Sequence, residues 1–214
     1  MEFEFIYDPV PLIIIRDIFT KKENSEIFAE AIKNKKNFKL AIAMNKTEKF
    51  RNNIVSEYDT IYSKDRTKSK LLTMIDKNFK NTKFTDILNS FVFPVNLLGQ
   101  TNLHETQVSR YGDQGQKYKY HTDAFSDDNK RMITLVYYFN KEPKKYKGGE
   151  IQFTRSPISD GKIFDKNQTP ITITPENNMM VVFSSKVAHT VLPTISPKTF
   201  DKGRFSVNIW VGVR

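Results

Sequence analysis

The hydrophobic period of this chain changes near Leu103, and that change limits the fold more than any other feature. Before it, Thr20-Lys-Lys-Glu23 forms a capping box ahead of Ile27, Phe28, Ala31 and Ile32 at helical spacing, which predicts a helix over residues 21–34. Leu71, Leu72, Ile75 and Phe79 predict a second helix, and Phe84, Ile87, Leu88 and Phe91 a third. Residues 45–70 between them are polar and Lys-rich, with scattered Ile54, Tyr58, Ile61 and Tyr62, and read as a long loop or lid. After Leu103 the period is two. Strands are expected at Thr106–Tyr111, Tyr118–His121, Met132–Phe139, Glu150–Phe153, Ile171–Thr174, Met179–Phe183, Thr190–Leu192 and Phe205–Val213, separated by Gly, Pro and Asn turns. Such short strands at close spacing predict two stacked sheets. The expectation is an α+β chain forming one domain over 1–214. Its core over 101–214 is a double-stranded β-helix (jelly roll), buttressed by helices and a polar loop in 1–100.

Composition narrows the chemistry. There is no cysteine, which excludes disulfides, iron–sulfur clusters, thiolate zinc sites and cysteine nucleophiles together. A metal would have to be held by His and carboxylate, and the only His are His104, His121 and His189. His104 is read as structural. The apolar run Leu12–Ile15 is too short for a leader or a membrane span, and the acidic start lacks a leader's basic flank, so a cytoplasmic protein with no membrane partner is expected. Net charge is +10, but Lys outnumbers Arg 26 to 8. That bias suits an AT-rich coding sequence better than a phosphate-binding face, so no nucleic-acid partner is expected.

In a strand, residues two apart face the same way, so His121 and Asp123 project together from the end of one strand. Taken alone, the pair reads more readily as a surface His beside an acid. His189, 66 residues past Asp123, ends a run Phe183-Ser-Ser-Lys-Val-Ala-His189. Alone it reads equally as a satisfied core histidine or as a ligand. Together the three make a two-His, one-carboxylate set, which leaves metal positions open for a bidentate 2-oxo acid and dioxygen. Arg204 then opens the strand Arg-Phe-Ser-Val-Asn-Ile-Trp210, in which Arg204, Ser206, Asn208 and Trp210 share a face. A buried guanidinium is costly without a carboxylate, and its planar fork suits one. The distal carboxylate of 2-oxoglutarate would answer it, with the Ser206 hydroxyl as a second donor; the bland alternative is a solvated strand end.

From Thr106 to Val213 the chain resembles the prolyl hydroxylase branch of the Fe(II)/2-oxoglutarate dioxygenases. The resemblance rests on Tyr111-Gly-Asp-Gln-Gly-Gln-Lys-Tyr118-Lys-Tyr-His121-Thr-Asp123, on Arg131 to Asn140, on Gly148-Gly149-Glu150, on His189-x-Val-x-Pro193 and on Arg204 with its Trp210 strand. It implies iron ligands at His121, Asp123 and His189. It also implies that Arg204 and the Tyr138 hydroxyl hold 2-oxoglutarate, with Tyr111 lining the pocket. The implied reaction consumes Fe(II)-activated dioxygen and 2-oxoglutarate, releases succinate and carbon dioxide, and hydroxylates an unactivated C–H bond, with ascorbate as reductant. The implied substrate is a prolyl residue of a protein or peptide. Two departures leave the substrate open: the His189-to-Arg204 interval is 15 residues, longer than in close relatives, and the anchoring residue is Arg where collagen-type enzymes carry Lys. The same chemistry on a free amino acid, small metabolite or nucleobase is one rival reading. A cupin-like protein that binds metal without catalysis is another, and Arg204 speaks against it. Lys117, Lys119 and the loop Ala124–Lys130 lie where the substrate entrance is expected.

Overall fold

The computed structural model describes residues 1–41, 50–92, 103–112, 115–124, 131–165 and 167–212. The first part of the chain holds β1 (Glu2–Ile6), β2 (Leu12–Arg16), α1 (Lys21–Lys33), β3 (Lys39–Leu40), β4 (Ile54–Glu57), α2 (Tyr58–Ile61), α3 (Lys70–Phe79) and α4 (Thr82–Val92). The strands that follow are β5 (Leu103–Tyr111), β6 (Gln116–His121), β7 (Arg131–Phe139), β8 (Lys147–Gly148), β9 (Ile151–Thr154), β10 (Ile158–Ser159) and β11 (Lys162–Ile163). The last four are β12 (Ile171–Ile173), β13 (Met179–Ser184), β14 (Ala188–Ile195) and β15 (Arg204–Gly212). An eight-stranded sheet runs β1-β2-β13-β7-β15-β5-β4-β3 and faces a smaller sheet β12-β9-β14-β6, with β8 beside β14. The pairings of both sheets are antiparallel. This is the double-stranded β-helix of an α+β protein.

The large sheet is buried on both faces, and its sequence shows why. Ile13 and Ile15, Met180 and Val182, Ile133, Leu135 and Tyr137, and Phe205, Val207 and Ile209 point outward into one core with α1, α2, α3 and α4. Leu12 and Ile14, Val181 and Phe183, and Val136 and Tyr138 point inward, against Ile151, Phe153 and Ile173 of the small sheet. A strand between two cores must be apolar at successive positions, which accounts for the run Leu12–Ile15. On β15 the outward face is wholly apolar, whereas the inward face carries Arg204, Ser206, Asn208 and Trp210. That polar stripe inside the sandwich marks the site.

The three predicted helices form where the spacing places them, and side chains cap the starts of α1 and α3. Thr20 and Glu23 close the expected capping box on α1. Ser69 caps α3, and the Glu30 carboxylate from α1 accepts from the Ser69 hydroxyl at 2.6 Å and from the Lys70 and Leu71 amides at 2.6 and 3.2 Å. Acidic charge at a helix N-terminus also meets the favourable end of the dipole.

The first hundred residues differ from the expected helical support in one respect: they supply four of the eight strands of the large sheet. The polar stretch expected as a loop or lid is built into the fold over residues 50–70. Residues Phe50–Asn52 run beside β6, with Lys119 N donating to Phe50 O at 2.9 Å, and β4 then crosses to pair with β5. Arg66 bridges Asp59 and Asp76 and ties α2 to α3. β4 has four residues, too few to display a period. Residues 45–49, most of the 124–130 loop and Val213 lie outside the described residues, as do the side chains of His104 and Phe91. Among the described residues no helix is long and apolar enough to cross a membrane.

Candidate metal and co-substrate site

His121 ends β6 and His189 is the second residue of β14, and the two are direct partners across the small sheet. Asp123 follows β6 by two residues, its amide donating to Ser185 O at 2.9 Å, which turns its carboxylate in toward both rings. The three side chains are 4–6% exposed, and one ligand atom from each lies within 4.8 Å of the others. Asp123 Oδ1 is 3.9 Å from His121 Nε2, and Oδ2 is 3.7 Å from His189 Nε2. His121 Nδ1 meets Lys119 O at 2.8 Å and His189 Nδ1 meets Val187 O at 3.0 Å. A carbonyl only accepts, so both Nδ1 atoms carry the proton and both Nε2 lone pairs point at the shared centre.

Electrostatics favour the ligand forms of His121 and Asp123. Burial, the neighbouring His189 and the Arg51 guanidinium hold His121 well below the usual imidazole range. Burial alone would raise the Asp123 carboxyl, but the two imidazoles and the Thr134 hydroxyl, donating to Oδ2 at 2.8 Å, outweigh it and lower it. Two imidazole Nε2 atoms and one carboxylate converging within 4.8 Å of one another fit a divalent cation. The donor set suits non-haem Fe(II), and Zn²⁺ could also use it. The Tyr118 ring backs the set, stacked on the His121 imidazole at 3.5 Å and 16°.

Arg204 opens β15, is 1% exposed, and lies between two phenol rings, 4.8 Å from Tyr111 and 4.8 Å from Tyr138. Among the described residues no carboxylate pairs with it. Nη1 donates to Ser206 Oγ at 3.3 Å, so Ser206 serves first as its acceptor. Among the described residues, Arg204 Nε, the Tyr138 hydroxyl and the Thr194 hydroxyl are buried and meet no hydrogen-bond partner. Burial raises the Tyr138 hydroxyl's pKa although Arg204 works against it, so that phenol stays protonated and able to donate. Gly149 leaves room for the cluster: at its φ of +75°, a Cβ there would stand 2.6 Å from Thr194 Oγ1 and 2.7 Å from Arg204 Cδ. A guanidinium and two hydroxyls left unanswered in a dry pocket are costly, and a carboxylate would answer all three.

The structure thus gathers His121, Asp123 and His189, and beside them Arg204, Tyr138, Tyr111 and Ser206. Thr194 escaped the sequence reading. Two register shifts in β14, after His189 and after Val191, break the alternation that would have assigned its direction. Tyr118 and Thr134 stand within the motifs that carry the resemblance but had no role assigned there, and Arg51 carried no signal beyond ordinary loop composition.

Residues 106–212 match the 2OG-Fe(II) oxygenase superfamily, which covers half of the chain. An uncharacterized PKHD-type hydroxylase of Synechocystis sp. is 30% identical over 210 residues, covering 97% of this chain. This chain spans 65% of that relative's length. Among solved structures, a prolyl-4-hydroxylase of Pseudomonas putida superposes with a TM-score of 0.65 at 21% identity, over 95% of this chain and 92% of that one. A Trichoplax adhaerens prolyl hydroxylase, solved with a peptide fragment of the hypoxia-inducible factor oxygen degradation domain, gives 0.64 at 17% identity, over 94% and 83%. At such identities the structural likeness is one of fold. With the double-stranded β-helix and its buried His-Asp-His set, the sequence match makes this chain a member of the 2OG-Fe(II) oxygenase superfamily.

Proposed function

We propose that the chain is a 2-oxoglutarate-dependent hydroxylase in which His121, Asp123 and His189 hold Fe(II) and Arg204 holds the far carboxylate of 2-oxoglutarate. The observation that carries this reading is the buried Arg204 with no carboxylate partner among the described residues, grouped with two unanswered hydroxyls beside the triad. A metal-binding protein without the co-substrate has no use for that arrangement. When bound, iron and 2-oxoglutarate supply oxygen activation by oxidative decarboxylation.

The residues then have distinct tasks. The Lys119 and Val187 carbonyls fix the imidazole tautomers, and Thr134 orients Asp123. Arg204, Tyr138 and Thr194 neutralise and position one end of the co-substrate, while the rings of Tyr111 and Tyr138 exclude water from the guanidinium. The intact Asp123 supports hydroxylation over halogenation, which needs that position vacated. The reading extends to the whole chain acting as one unit, because β2 and β4 lie in the same sheet as β15. The favoured substrate is a prolyl residue in a peptide, in keeping with the kinship in fold; a free amino acid is the second reading. Ascorbate would keep the iron reduced between turnovers.

The test is 2-oxoglutarate binding to the Mn(II)-loaded protein by calorimetry, followed by succinate release from the Fe(II) form in oxygen and ascorbate. Binding that is lost in Arg204→Met, and succinate release that is lost in His189→Ala, are the expected outcomes. A wild-type protein that binds metal but not 2-oxoglutarate would remove the oxygenase reading in favour of a metal-binding protein.

A further inference from the structure

A second cation reaches the space between the sheets, and neither the triad nor Arg204 accounts for it. Arg51 lies where the chain leaves the edge of β6 and crosses to β4, so its side chain enters at the mouth of the sandwich. Its Nε donates to Asn53 Oδ1 and its Nη2 to Gln107 Oε1, each at 2.9 Å. The guanidinium carbon stands 4.6 Å from the centre of the Tyr118 ring, whose stacking partner is His121 at 3.5 Å. One aromatic ring therefore separates Arg51 from a residue of the triad. Its partners are neutral: among the described residues no carboxylate pairs with Arg51, and no acceptor meets Nη1. Gln107 is itself held by donating to Glu57, which fixes the amide so that its oxygen keeps facing Arg51.

Charge balance indicates what is missing. With the site filled as proposed above, a divalent cation and Arg204 are matched by Asp123 and the dianionic co-substrate. Among the described residues Arg51 then still has no carboxylate, in a partly desolvated place where an unpaired cation is costly. If its only task were to rest on Tyr118, Asn53 and Gln107 would not need to aim two of its N–H groups and leave the Nη1 edge free. A single free edge with one positive charge suits a carboxylate, and the planar fork gives directional hydrogen bonds to it. The Tyr111 hydroxyl, raised by burial, is pulled down by both Arg51 and Arg204, which places it between the two guanidiniums' fields.

We propose that Arg51 receives a carboxylate of the substrate to be hydroxylated, so that this site selects carboxylic acids whose charge lies a few bonds from the oxidised carbon. The inference rests on the co-substrate reading above and deepens it. Two sources share the chemistry: the target's own α-carboxylate, as in a free or C-terminal prolyl group, and an acidic side chain next to the target in a peptide.

The experiment is calorimetry on the Mn(II)- and 2-oxoglutarate-loaded protein with two matched pairs of probes. One pair is N-acetyl-L-proline and N-acetyl-L-prolinamide; the other is N-acetyl-Pro-Asp-amide and N-acetyl-Pro-Asn-amide. The acid of one pair is expected to bind about tenfold or more tightly than its neutral partner, as a charge-assisted hydrogen bond would give. That gap should vanish in Arg51→Gln and persist in part in Arg51→Lys. The first pair reports an own carboxylate and the second a neighbouring side chain. Equal affinity within both pairs, no binding by either acid, or a gap that survives Arg51→Gln overturns the proposal. 2-Oxoglutarate affinity retained in both variants shows that the fold is intact. Failure of the wild type to bind 2-oxoglutarate removes the underlying reading instead.

Discussion

Arg204 shows how a single residue can make sense only through what it lacks. It is buried between two rings, with its Nε and two nearby hydroxyls unanswered. Tyr138→Phe removes one of those hydroxyls and leaves the ring, so 2-oxoglutarate affinity should fall roughly tenfold or more, the worth of one hydrogen bond to a charged acceptor, with the melting temperature little changed. Gly149→Ala is the sharper probe. It adds one methyl at φ +75°, within 2.7 Å of Arg204 Cδ and 2.6 Å of Thr194 Oγ1. Backbone strain alone costs about 1 kcal/mol or more, and displacement of the guanidinium should abolish 2-oxoglutarate binding measurable at millimolar concentration while metal binding survives. A Gly149→Ala protein that binds 2-oxoglutarate normally would mean that the Arg204 cradle is not its site.

The elements are tied by their ends as much as by their faces. Glu30 on α1 caps α3 with three hydrogen bonds, so Glu30→Ala should cost about 1–2 kcal/mol in denaturant unfolding, more than an ordinary helix-surface change. Thr20→Ala should cost about 1 kcal/mol by opening the capping box on α1. The Glu23 carboxyl is held below its ordinary value, first by the Thr20 amide and then by the Thr20 hydroxyl. A lowered acid stabilises the fold above its unfolded value near 4.3, and that contribution disappears as pH falls through the folded value. Between pH 5 and 3, therefore, wild-type unfolding midpoints should drop more steeply than those of Glu23→Gln.

The whole molecule is a scaffold whose two sheets each bring part of one centre: the small sheet carries His121 and His189, and the large one Arg204 and Tyr138. Whatever fills the centre should therefore stabilise the entire β core. Saturation with Mn(II) and 2-oxoglutarate at about a hundredfold excess over Kd should raise the melting temperature by roughly 5–10 °C. In His189→Ala the metal-dependent part of that rise should be absent. If the shift survives there, the metal is bound elsewhere.

The sequence by itself determined the architecture's outline. Capping box, helical spacing and the turn to period two after Leu103 are local signals, and each became an element near its expected place. The grouping of His121, Asp123 and His189 was legible through the motifs that carry the family resemblance, since alternation reaches neither Asp123, which lies past the end of β6, nor His189 on another strand. On β15 alternation put Arg204, Ser206, Asn208 and Trp210 on one face. The rest depended on tertiary structure. That β2 and β4 complete the large sheet follows from strand pairing across the length of the chain, which no local period encodes. Thr194 became visible only when the bulges of β14 turned it toward Arg204, since a register shift cancels the alternation rule. Arg51 is distant in sequence from Tyr118 and His121, and only the crossing between the two sheets brings it within one ring of His121. Identity and spacing decide which chemistry a chain can hold; the pairing of remote strands decides which charges are left unmatched for a substrate to meet.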